Sequence, residues 1–455
     1  MPALRLRAEL NRIRVLLLTN RDSDNVGDQI IEASVISLLK TVAANLDLDE
    51  DSFEISSRAA GIISKKYMKT GDESLLKSAR KAISKADILV FGGAPLFNYR
   101  YQTFYRRTIR TVELAQEYGV PTLFSSIGVE PYSDDDHRSQ ALKQALNLPV
   151  VKQIITRDDL PSVAKYVAGT QISTGLVADP AVFADKVFEN IVGQSESNPK
   201  GSKSTIGLVV TRAGIFADNG IDFSEDDQRQ FWLGVIELLR ERQYGYRLFT
   251  TGHFTDEIFL DSLVREHGVP AKNVRFTVNS PDELIEELRA CDAVIAYRLH
   301  ASITSFALGV PSVGLSWNFK VPEFYKEIGY ADRAISSDNW SPRHVVAVME
   351  NALANGVTKD SSYLYSVYKS LFDGVKDILT PDGEAVPYSL NEVYDALPRY
   401  PMTSLPEYRA KVQRKLRRSY DFYANKSIQW RPSIQDGLIL RIGRRIKRAL
   451  SNSIR

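Results

Sequence analysis

Arg298 and His300 are one residue apart, and Lys320 follows them, in the stretch DAVIAYRLHASITSFALGVPSVGLSWNFK of residues 292–320. An arginine offers a planar fork of charged donors suited to phosphate and carboxylate, and a histidine is the side chain whose proton moves most readily near neutral pH. The chemistry these types could do together is to hold an anion and transfer a proton beside it. The apolar run 293–297 has the character of a buried parallel strand, and Gly309 and Pro311 end the helix after it, which puts Arg298 and His300 at a strand-to-helix junction. The helix dipole disfavours a charged histidine there, so acid chemistry from His300 requires an anion held against it, and Arg298 is placed to hold one. Taken alone, His300 fits equally well as a side chain bonded into the helix start.

Further candidates stand in loops of the same kind. After the run 14–20 come Asn25-Val26-Gly27-Asp28, where Gly27 permits a tight turn and Asp28 opens a helix as a cap or as a ligand contact. After 87–91 come Gly92 and Gly93, a pair that lets a ligand approach the backbone closely. Arg157 follows the run 151–156 beside Asp158 and Asp159, as a local ion pair or as an anion contact. Asp179-Pro180-Ala181 closes an extended segment. His253, after the run 247–251, is a second acid candidate, whereas His137, His267 and His344 stand among charged residues and are expected to face solvent. No Asp/His grouping has the spacing of a metal site, and no metal is expected.

These loops need a scaffold that delivers strand ends to one place. Apolar runs at 14–20, 87–91, 121–125, 151–156, 205–210, 247–251, 292–297 and 311–316 alternate with helical periodicity, as in Ile31, Val35, Leu38, Leu39 and Val42. Such alternation predicts an α/β fold of two doubly wound, Rossmann-like domains facing a cleft, with ligands beyond the carboxyl ends of the strands. The polar stretch 194–203 (QSESNPKGSK) marks the boundary. The expected organisation is an N-terminal domain over 12–193, a C-terminal domain with the donor site over 204–350, and a helical extension over 351–455 with a basic tail.

Composition narrows the class. At 455 residues, 44% apolar and 25% charged, the chain is an ordinary globular protein and neither disordered nor fibrous. Cys291 is the single cysteine, which excludes a disulfide framework and a thiolate zinc cluster and predicts a cytoplasmic setting. No run approaches the roughly 20 apolar residues of a membrane span, and residues 1–14 carry charges where a signal peptide needs an apolar segment. The net charge of +2 is unevenly spread: residues 401–455 hold fourteen Lys and Arg against Glu407, Asp421 and Asp436. Within 434–450, Ile434, Leu438, Ile442, Ile446 and Leu450 recur every fourth residue among arginines and lysines. A basic amphipathic helix of this kind suits an anionic membrane surface, reached through 431–455 on the inner face of the membrane, or the acidic body of the protein itself. No nucleic-acid reading module accompanies the basic run, so no nucleic acid is expected.

Asn25-Val26-Gly27-Asp28, Gly92-Gly93, Ile127-Gly128-Val129, Thr156-Arg157-Asp158, Asp179-Pro180-Ala181 and Arg298-Leu299-His300-Ala301, then Gly309-Val310-Pro311 and Lys320, occur in order over about residues 14–330. Together they resemble the polysaccharide pyruvyl transferase family. The Gly92-Gly93-Ala94-Pro95 loop departs from the third glycine or serine more usual there. The resemblance implies a fold like the two-domain GT-B glycosyltransferases, with phosphoenolpyruvate as co-substrate, no cofactor, and a glycan or lipid-linked oligosaccharide as acceptor. It implies His300 as general acid, Arg157, Arg298 and Lys320 as donor-binding residues, and Asn25, Asp28, Gly92, Gly93 and His253 in the acceptor or cleft loops. A GT-B glycosyltransferase using a nucleotide sugar and a non-catalytic polysaccharide-assembly factor are the alternatives.

Overall fold

A computed structural model describes residues 12–100, 104–192, 203–212 and 214–429. The boundary stretch 194–203, apart from Lys203, and the basic helix expected within 431–455 lie outside the described residues.

Among the described residues, eleven strands build two sheets in which every pairing is parallel. The first contains β1 (Ile13–Thr19), β2 (Phe53–Ala59), β3 (Ile88–Gly92), β4 (Thr122–Ile127), β5 (Val151–Thr156) and β6 (Ser173–Leu176), in the order β2-β1-β3-β4-β5-β6. The second contains β7 (Thr205–Val209), β8 (Gly245–Phe249), β9 (Ala293–Ala296), β10 (Ser312–Ser316) and β11 (Ala334–Ser336), in the order β11-β10-β9-β7-β8. The central strands β3, β4 and β9 are buried along their whole length, which is why they read as continuous apolar runs and not as alternating ones.

Both sheets reverse their winding beside the first strand, between β1 and β3 and between β7 and β9. At such a switch point the connections leave in opposite directions and open a crevice at the carboxyl ends. Four helices stand at these ends. Helix α1 (Val26–Asn45) follows β1, and its N-cap Asn25 accepts the Gly27 N–H. Helix α2 (Phe254–Arg265) follows β8, α3 (Leu299–Ala307) follows β9, and α4 (Lys320–Glu327) follows β10. Gly314 in β10 admits the close approach of α4, since a Cβ there would overlap Val321 and Tyr325.

One apolar core joins the two sheets: Val15, Leu17, Val26 and Ile30 share it with Val209, Phe249, Ala296 and Ala301. After the second sheet the chain returns to the first. Helix α5 (Ser361–Leu379) lies against α1, β4 and β5, where Tyr368 OH donates to Asn45 Oδ1 (2.5 Å) and Gln153 Nε2 donates to Ser370 O (3.0 Å). Residues beyond Thr403 form a separate compact unit, whose described part is the helix α6 (Leu405–Gln429). Among the described residues, no helix is long and apolar enough to cross a membrane.

Candidate active site

The carboxyl edges of the two sheets meet where α1 and α3 begin. The main chain itself joins them, as Val26 N–H donates to Thr251 O (2.7 Å). Gly252 takes a φ of +103°, and a Cβ there would lie 2.8 Å from Val278 O, so only glycine passes this seam. Gly27 is constrained in the same way. A Cβ on it would overlap Cβ and Cγ of His300.

His300 stands at the second position of α3, with its side chain 12% exposed. Its Nδ1 is 2.8 Å from Asn25 Nδ2 and 4.0 Å from Asp28 Oδ1. Because Asn25 Oδ1 is occupied by the Gly27 N–H, its amide nitrogen faces the ring and must donate, so Nδ1 accepts and Nε2 carries the proton of a neutral imidazole. The environment enforces neutrality: burial first, then the charges of Arg157, Lys320, Arg298 and His253, hold His300 well below its ordinary range.

Asp28 completes this end. It is buried, and burial pushes its carboxyl up to about 6, against the pull of hydrogen bonds from Ser23 and Asn20 and of the Arg157 charge. Asn20 Nδ2 donates to Asp28 Oδ2 at 3.0 Å.

Each candidate arginine is anchored to a buried aspartate. Arg298 makes a two-pronged pair with Asp256 of α2, Nε to Oδ2 at 2.9 Å and Nη2 to Oδ1 at 2.7 Å, and Asp256 Oδ1 also accepts the Arg212 N–H at 2.8 Å. Arg157 pairs with Asp179, whose carboxyl burial pushes upward while Arg157 draws it down. The local pair expected between Arg157 and its neighbours Asp158 and Asp159 is thus replaced by one with Asp179. Asp158 instead accepts the Val129 N–H at 2.8 Å, and Asp159 caps the helix Leu160–Tyr166. Such pairs fix the planes of both guanidinium groups and leave their remaining donors for a ligand.

Lys320 opens α4 and is enclosed by the walls of the site, where burial depresses its ammonium and Asp158, Glu130 and Asp28 oppose that. His253 is the N-cap of α2, close enough for its charge to act on His300. Gly92 ends β3 and Gly93 follows it: Gly93, at φ +62°, turns its Cα toward Ile31 of α1, and Gly92 faces Leu17 and Val35. His137, His267 and His344 are exposed, as expected from their surroundings.

Asp256 and Glu130 were not among the candidates read from the sequence. Glu130 is 3% exposed and accepts the backbone N–H groups of Tyr99 and Arg100, each at 2.9 Å. Asp256 lies three residues after His253, at the carboxyl end of a strand run, and that position was its only mark. Among the described residues, no group of three His, Cys, Asp or Glu side chains is arranged to hold a metal ion. The site therefore gathers a neutral imidazole, a carboxyl with raised proton affinity, two anchored guanidinium groups and the Lys320 ammonium.

Comparison with known proteins identifies the family and the fold. The family model described as polysaccharide pyruvyl transferase matches residues 25–318, a span that includes every candidate site residue read from the sequence except Lys320. No curated protein matches the chain. Among solved structures, UDP-GlcNAc 2-epimerase from Methanocaldococcus jannaschii superposes with a TM-score of 0.51 at 11% identity, covering 79% of this chain and 98% of that one. UDP-GlcNAc 2-epimerase from Neisseria meningitidis, bound to UDP-GlcNAc, gives a TM-score of 0.51 at 8% identity, covering 80% and 99%. At these identities the likeness is one of fold, the GT-B arrangement of two facing α/β sheets.

Proposed function

The chain belongs to the polysaccharide pyruvyl transferase family, and from that membership we propose that it moves pyruvate from phosphoenolpyruvate onto a pair of sugar hydroxyls, forming a cyclic ketal. The observation that carries the reading is the meeting of His300 with Arg157, Arg298 and Lys320 where the two sheets face each other.

Phosphoenolpyruvate concentrates a phosphate and a carboxylate on three carbons. Fixed guanidinium forks from both sheets match two such groups, and Lys320 adds a point charge. The donor's negative charge offsets the cations that keep His300 neutral, so its arrival raises the proton affinity of the imidazole that must act as acid. His300 then protonates the methylene carbon, and positive character develops at the central carbon. One acceptor hydroxyl attacks there, phosphate leaves with the electron pair of the C–O bond, and the second hydroxyl closes the ketal. Of the two hydroxyl protons released, one replaces the proton given to the methyl carbon and the other leaves with phosphate. Asp28, 4.0 Å from Nδ1 of His300, is the group placed to take a proton back into the site.

The acceptor is a polysaccharide or its lipid-linked precursor. The basic segment 431–455 suits a protein that meets such a precursor at the inner membrane surface, held there by its cations and apolar side chains. The decisive experiment is phosphate release from phosphoenolpyruvate with a panel of soluble and lipid-linked glycans, with the product checked for a pyruvate ketal by mass. Release that depends on the acceptor and leaves a ketal supports the assignment. Turnover of a nucleotide sugar in its place would overturn it.

A further inference from the structure

We infer that an apolar stripe along α6 is a docking surface for an anionic lipid bilayer. Leu405, Leu416, Tyr420 and Tyr423 are 60%, 61%, 69% and 68% exposed. At 3.6 residues per turn they fall within one narrow stripe, about 27 Å long from Leu405 to Tyr423. Soluble surfaces carry scattered large apolar side chains, but an ordered stripe of them on one helix face marks an interaction site.

Charge identifies the occupant. Residues 405–429 contain seven Lys and Arg against Glu407 and Asp421; at 3.6 residues per turn the exposed Arg409 falls within the stripe and the exposed Arg417 beside it, while Arg414 lies on the far side of the helix. A second copy of the helix would set this positive charge against itself, whereas an anionic headgroup layer neutralises it. Leucine and tyrosine are suited to the boundary between headgroups and acyl chains, because a tyrosine ring is apolar along its body and polar at its tip. The helix thus has the make-up of one that lies in the plane of the interface, and its stripe is separate in sequence from the segment 431–455.

The test is co-sedimentation of the full-length chain with vesicles of phosphatidylcholine alone and of phosphatidylcholine with phosphatidylglycerol. It uses no donor or acceptor, so its outcome and that of the transferase assay are independent. The wild type should pellet only with phosphatidylglycerol present, and less so as salt is raised. Leu416→Gln/Tyr420→Gln/Tyr423→Gln should bind at least about tenfold more weakly. Arg409→Gln/Arg417→Gln should lose about fivefold per cation. Circular dichroism accompanies both, and if one variant loses helix content the other decides. The inference is overturned if the wild type ignores phosphatidylglycerol, or if a folded variant binds as the wild type does. It is equally overturned if light scattering shows that the apolar variant has only dissociated a dimer.

Discussion

Asn25 donates its side-chain amide hydrogen across the two sheets to Nδ1 of His300, at 2.8 Å, and thereby selects the tautomer that presents Nε2–H. His300→Ala should lower turnover about 10²–10⁴-fold, the usual contribution of a general acid, with little change in thermal melting. Asn25→Ala should lower kcat less and alter the shape of its pH profile, because the ring keeps its acid but loses the partner that orients it. Near-normal turnover in folded His300→Ala would transfer the acid role, first to His253.

Arg157 and Arg298 each neutralise a buried carboxylate, so truncating either arginine has two effects. Donor affinity should fall about ten- to a hundredfold, as expected for loss of a charge-assisted contact. Stability should fall as well, by about 3–5 kcal/mol, since Asp179 or Asp256 is left charged and buried. The double variants Arg157→Met/Asp179→Asn and Arg298→Met/Asp256→Asn, which remove both charges and keep an acceptor for the Ala181 and Arg212 N–H groups, should recover most of the melting temperature and none of the affinity. Calorimetry and thermal melting on the four proteins separate the two effects, and full affinity in both double variants would remove the donor clamp.

Asp28 makes stability depend on pH with a definite sign. Its carboxyl is pushed up to about 6 when folded, against an ordinary value of 3.8 when unfolded, so the native state holds the proton more tightly between these values. Its contribution is fully present below about pH 4 and is lost as pH rises toward 6, a difference of up to about 3 kcal/mol. Asp28→Asn should therefore melt higher than the wild type at pH 7 and show little difference at pH 4, while turnover falls. Equal melting shifts at both pH values would place the burial cost elsewhere.

Donor binding should take up protons: His300 is held neutral by burial first and then by the charges of Arg157, Lys320, Arg298 and His253, and the donor's negative charge offsets the second of these causes. Isothermal titration of phosphoenolpyruvate in buffers of different ionisation enthalpy reads the number directly. Affinity should weaken as pH rises from the proton affinity of the free site to that of the complex. The uptake should drop in His300→Ala. If it does not change, His300 is not the group that charges.

Gly27 lets α1 begin directly beneath His300. Gly27→Ala should abolish turnover far more than it unfolds the chain, since the new methyl overlaps the histidine and not the core behind it. Thermal melting measured beside product formation checks this, and an active Gly27→Ala would show that the ring relocates without loss.

The eight apolar runs all became strands, seven of them interior parallel strands, which are apolar on both faces, and the eighth, β8, the half-buried edge beside β7. The three strands without such a run, β2, β6 and β11, are the outer strands on their sides of the sheets. β2 alternates in burial after Phe53, with Glu54, Ser56 and Arg58 exposed, so its half-polar pattern resembled a loop. The site was legible for a related reason, since functional side chains sit where strands end. The charge partners were not legible: Asp256 meets Arg298 from 42 residues away and Asp179 meets Arg157 from 22. Only the winding of the sheets brings such carboxylates into register, and periodicity carries no record of it.

The return of α5 to the first sheet bears on how the protein is made. Leu364, Val367, Leu371, Phe372 and Val375 belong to the same core as β1 and α1, yet a ribosome produces them long after Leu176, the last residue of that sheet. The amino-terminal half must therefore wait, with an apolar patch uncovered, until nearly 200 further residues have been synthesised, during which aggregation and chaperone capture compete with folding. Expression of residues 1–193 alone should yield aggregates that co-expression of 204–403 rescues.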